Sequence, residues 1–131
     1  MKRILLTIAL LANTPAVGQT IDCTMSQLHS FKMENVTDVH GAKPRDVLQM
    51  TFADLDIKNQ RAMMVGNLGS TELLSLRGPG KLSFLEITST GNLMTTSISA
   101  KPGSWWGVHQ RQAFIGAVGV ISTYAGQCKI R

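Results

Sequence analysis

The sequence predicts an all-β fold, a small antiparallel meander closed as a barrel or sandwich and held by one disulfide. Three observations predict it. From about residue 47 onward, short segments with a period of two alternate with turns built on glycine and proline. No stretch there repeats at the 3.6-residue period of a helix. The two cysteines, Cys23 and Cys128, stand alone near the two ends of the domain, a spacing suited to a bridge that ties a small exported domain together.

The elements follow in order. Lys2 and Arg3 form a basic start, and Ile4 to Ala12 is apolar apart from Thr7. Asn13, Thr14 and Pro15 break that run, and Ala16-Val17-Gly18 offers small residues at the −3 and −1 positions of a cleavage site. This is the pattern of a secretory signal peptide over residues 1–18, followed by a single β domain over residues 19–131. The apolar run is shorter than the roughly 20 residues that span a bilayer. Thr20-Ile21-Asp22 before Cys23 is not a lipidation site. The protein is therefore expected in the periplasm or outside the cell of a bacterium, with no stable membrane anchor after cleavage.

Residues 24–46 fit a strand or a short helix equally well, with a loop expected over Val39 to Asp46. Leu48, Met50 and Phe52 then alternate with Gln49, Thr51 and Ala53, which marks a half-buried strand. Short apolar segments follow at 61–66 and 72–77. Gly78-Pro79-Gly80-Lys81 is a turn, because proline presets φ and glycine supplies a positive φ. Strands are expected at 82–89, after the Thr90-Gly91-Asn92 turn, and near 106–115 and 118–128. In the last of these, Val118, Val120, Tyr124 and Cys128 share one face by parity, which points the cysteine into the core. A Cys23–Cys128 bridge closes a loop of about 100 residues, worth on the order of 4–5 kcal/mol in the chain-entropy account.

Charge narrows the function classes. Loss of Lys2 and Arg3 takes the formal net charge from +5 to +3, and the remaining basic residues are scattered along the chain. No basic stripe forms, so no nucleic acid is expected as a partner. No cofactor motif is present. Gly78-Pro79-Gly80-Lys81 lacks the spacing of a phosphate-binding loop, and there is no G-x-S-x-G elbow. His29 and His40 have no metal-ligand spacing. Asp54 and Asp56 lack the further oxygens that calcium requires. No catalytic or metal residue is assigned. Asn35-Val36-Thr37 matches a glycosylation sequon.

The ligand-binding candidates are Trp105, Trp106, His109 and Arg111. In a chain with 5% aromatic residues, paired tryptophans after a turn suit stacking on a sugar or peptide. The bland alternative has one ring capping the end of the sheet and the other partly exposed. His109 and Arg111 lie two apart on a strand, so they share a face and suit an anion or carboxylate. A solvated sheet face accounts for them as well.

The segments Leu82–Ile98 and Gly107–Cys128, closing on Tyr124-Ala125-Gly126-Gln127-Cys128, resemble a loose group of short uncharacterised secreted alphaproteobacterial proteins that end in aromatic-x-Gly-x-Cys. The resemblance implies location and fold rather than an activity. Where many of those proteins carry Ser-Arg-His, this chain has Gln110-Arg111-Gln112, which removes a second histidine from consideration.

Three functions are compatible with these features. The first is an exported, non-enzymatic binding or inhibitor module whose partner is an envelope or extracellular protein or a glycan. The second is a hydrolase with a site around His109, which requires a carboxylate and a nucleophile within reach of the imidazole. The third is a structural component of the envelope.

Overall fold

A computed structural model describes residues 18–35, 38–42, 46–67, 69–101 and 104–131. The leader up to Val17, and Val36 and Thr37 of the sequon, lie outside these residues. The described residues form nine strands and no helix: β1 (Ile21–Asn35), β2 (Asp38–Ala42), β3 (Val47–Asp56), β4 (Arg61–Gly66), β5 (Gly69–Gly78), β6 (Lys81–Ile87), β7 (Leu93–Lys101), β8 (Ser104–Ile115) and β9 (Val118–Ile130).

From β3 to β9 each strand pairs antiparallel with the next, and β9 returns to pair with β1. Since β1 also pairs with β3, eight antiparallel strands close into a barrel. Closure removes the open edges that a flat meander would expose. The period-two pattern of each strand then divides its side chains between an inner and an outer face.

The region that the sequence left between strand and helix is strand. β1 continues to Asn35, and Asp38–Ala42, expected as loop from Val39 onward, pairs with its second half. Residues 43–45 of the expected loop lie outside the described residues. One edge of β1 is thus shared, with β3 on residues 21–26 and β2 on residues 30–35. The opposite edge runs along β9 from Ile21 to Met33. A register shift between Gln27 and His29 inserts Leu28 as an extra, exposed residue. It keeps Gln27 and Ser30 on the same face, opposite Tyr124 and Ser122. Beyond it, β1, β2, β8 and β9 continue as a wing past the barrel wall.

The turns are those the sequence announces. Pro79 and Gly80 link Gly78 to Lys81, with Gly80 at φ 64°. At the next hairpin, Thr88 accepts the Gly91 amide at 2.8 Å, and Gly91 sits at φ 84°.

The core fills one end of the barrel. Ile21, Phe52, Leu55 and Ile98 are fully buried there, and the rings of Phe52 and Phe84 stack at 4.4 Å. Cys23 and Cys128 are direct partners across the β1–β9 seam and form the predicted disulfide. The bridge is consistent with an oxidising extracellular or periplasmic environment. Two glycines make this packing possible. A methyl group on Gly126 would lie 2.0 Å from the Thr24 carbonyl oxygen, and one on Gly107 would lie 2.6 Å from the Met25 methyl.

Candidate functional site

Toward the other end of the barrel the inward-facing positions turn polar. On β6 the inner face runs Leu82, Phe84, Glu86. On β7 it runs Ile98, Thr96, Met94, and on β8 Gly107, His109, Arg111. Because the strands are in register, Glu86, Met94 and Arg111 stand side by side across β6, β7 and β8. They help to line an open cup of about 530 Å³, within the usual range for small-molecule sites. Leu48, Met50 and Met64 from β3 and β4 also line the cup.

His109 forms the floor of this cup and is 2% exposed. Its Nδ1 lies 2.8 Å from Thr96 Oγ1, and its Nε2 accepts a hydrogen bond from Arg111 Nε at 3.3 Å. A guanidinium can only donate, so Nε2 must carry a lone pair. The neutral ring then holds its proton on Nδ1 and donates it to the Thr96 hydroxyl. Burial first, and the Arg111 charge second, push the imidazole pKa down from 6.5 to about 4. At neutral pH His109 is an uncharged orienting group, as its tautomer requires.

Arg111 is held from two sides, by His109 and by Tyr124, whose ring centroid lies 5.2 Å from the guanidinium carbon. This is a cation–π distance. With Nε–H committed to His109, four of the five guanidinium N–H donors remain on the terminal nitrogens. Glu86 contributes the opposite charge. One of its oxygens, Oε2, is sealed from solvent without a hydrogen-bond partner. Buried polar atoms are nearly always partnered, and leaving one without a partner costs on the order of 1–3 kcal/mol, more when it is charged.

The four binding candidates separate into two groups. His109 and Arg111 share a face as expected, but that face is the inner one, so the solvated-face account is corrected. Gly107 sets this parity: it packs against Met25 and the disulfide inside the barrel. Trp105 lies on the same inner face, six residues and about 20 Å from Arg111 along the strand. It packs partly buried against the core and pairs with Cys128. Trp106 points outward and is 47% exposed. Trp105 thus packs at the apolar end, Trp106 is exposed, and neither lines the cup.

Of the other candidates, Asp56 has a structural use. Asp56 accepts hydrogen bonds from the Asn59 amide and side chain at 3.1 and 2.7 Å, closing the β3–β4 turn. Those bonds hold its carboxyl below the usual carboxylate range. Asp54 sits at φ 49° in the register shift beside it. Among the described residues, no three His, Cys, Asp or Glu side chains gather as metal ligands.

Sequence reasoning missed Glu86, Thr96 and the methionines of the cup. Their signal was the change from apolar to polar along the inner parity of three successive strands. It becomes visible only when hairpin register aligns those strands. No protein-family model, curated protein or solved structure matches the chain.

Proposed function

We propose that this protein is an exported, non-enzymatic binding module that takes a small ligand into the cup at the polar end of its barrel. The observation that carries this reading is Glu86 in the wall of an open cavity, with one of its carboxylate oxygens sealed behind that wall without a partner. A group that is costly to leave bare in the free protein, beside an oriented guanidinium, suits a site completed by a ligand. The fixed scaffold supports it too: the cup is walled by mutually paired strands from β3 to β8, so little ordering is needed on binding.

The chemistry of His109 argues for binding over hydrolysis. Its two ring nitrogens are engaged by Thr96 and Arg111, neither of them a carboxylate. With Nδ1 donating to Thr96, the imidazole has no lone pair directed at that hydroxyl and cannot activate it as a base.

The test uses methionine methyl groups as reporters. Met50, Met64 and Met94 line the cup. Met25 is buried, and Met33 lies over Gly119 on the wing. The protein labelled with ¹³C-methyl methionine is titrated with a small-molecule extract of the producing cells and their medium. Shifts confined to Met50, Met64 and Met94 are expected. An extract that moves none of these three signals refutes the reading.

A further inference from the structure

We infer that the ligand of this cup is a small amphipathic zwitterion of the α-amino-acid type, with its ammonium on Glu86, its carboxylate on Arg111 and its apolar chain among Met50, Met64 and Met94. This inference rests on the proposed binding function and specifies it. The first ground is charge. Glu86 and Arg111 flank Met94 on adjacent strands, so their backbones stand about 10 Å apart at the usual strand spacing. Both side chains line the same cup, and their length lets the charged ends approach a shared small ligand. His109 beneath them is neutral and adds no third charge.

The second ground is satisfaction. The sealed Glu86 oxygen lacks a donor. The final torsion of a glutamate is soft, so a modest rotation turns the carboxylate toward the cavity. Arg111 offers its terminal N–H groups while its Nε is bonded to His109 and one face of its guanidinium plane lies against the Tyr124 ring. A simple amine would partner Glu86 but bring a second positive charge near Arg111. A simple carboxylate would partner Arg111 but add a second negative charge near Glu86. In a partly desolvated cup either mismatch is costly. A zwitterion gives each protein charge a partner and adds no net charge.

The third ground is the wall. Methionine side chains are unbranched and polarizable and adapt to apolar chains of varied shape. Three of them with Leu48 suit an unbranched or lightly branched aliphatic body.

Three probes share one apolar body and differ in the head: norleucine carries both charges, pentylamine lacks the carboxylate and hexanoate lacks the ammonium. The same methionine methyl signals report binding. Norleucine is expected to bind at least tenfold more tightly than either of the others. In Glu86→Gln, norleucine should weaken at least tenfold, to the level of hexanoate. An unchanged Met25 signal verifies that the variant is folded. If pentylamine or hexanoate binds within tenfold of norleucine, or if Glu86→Gln leaves norleucine unchanged, the zwitterion assignment is overturned. If none of the three moves the cup methyls but the cell extract does, the ligand class is wrong and the binding function stands. If the extract is also silent, both fall.

Discussion

Acidifying the protein from pH 7 to pH 4.5 probes the burial of His109. The imidazole has a pKa of about 4 in the folded protein, against 6.5 when unperturbed. Between these values the unfolded chain binds a proton that the folded chain refuses. Stability is therefore fully present above pH 6.5, is lost as the pH falls, and levels off below about pH 4. The full window amounts to about 3 kcal/mol at 1.36 kcal/mol per pKa unit. Of this, about 2.5 kcal/mol is lost by pH 4.5, a large part of a total stability of about 5–15 kcal/mol. Urea unfolding at both pH values measures the loss, and His109→Gln provides the reference. Carboxylates and the other histidines titrate in both proteins, so they cancel in the difference. The wild type should lose about 2.5 kcal/mol more than the variant on acidification. The His109 ring resonances should titrate near pH 4 in a direct measurement. Equal losses in the two proteins, or a ring midpoint near 6.5, would refute the buried, neutral assignment.

Further substitutions test the packing. Gly126→Ala places a methyl group against the β1 backbone and should part the seam. It is expected to abolish folding or to cost several kcal/mol in urea, whereas Gly66→Ala, which meets nothing within 4 Å, should change stability by less than about 1 kcal/mol. Ser75 is fully buried and its hydroxyl has no partner, so Ser75→Ala should raise the urea midpoint by an amount equivalent to about 1 kcal/mol. Phe52→Ala empties the stack with Phe84 and should cost about 3–5 kcal/mol by the same measurement. Replacing both cysteines by serine should cost about 2–5 kcal/mol; a double variant as stable as the wild type would show that the seam holds without the bridge.

Much of the barrel was legible because its hairpins are local. Pro79-Gly80 and Thr90-Gly91-Asn92 mark turns by their own backbone preferences, and the alternation of Leu48, Met50 and Phe52 needs no distant partner to be read. Cys128 facing the core followed from parity alone. The second half of β1 was harder to read. Leu28 is a bulge, and one inserted residue breaks a period-two pattern. Beyond it, Phe31 points outward and is 37% exposed, so the apolar residues no longer mark the inner face. The cup was hidden for a related reason. His109 and Arg111 look like a solvated face when β8 is read by itself, because polar residues usually face water. Only the β6–β7–β8 register brings Glu86, Met94 and Arg111 together, and that register is a property of three strands. The tryptophans attracted attention through size, yet Trp105 contributes packing at the opposite end.

The seam between the first barrel strand and the last has a consequence for when the protein can fold. A meander from β3 to β8 can assemble hairpin by hairpin as the chain appears. β1, however, keeps one long edge unsatisfied until β9 is available, more than 80 residues later. A chain delivered N-terminus first, from a ribosome or through a translocation pore, therefore cannot complete its barrel before nearly its whole length has emerged. Until then the Cys23 thiol has no partner on the emerged part of the chain. Such a topology delays closure to the end of delivery.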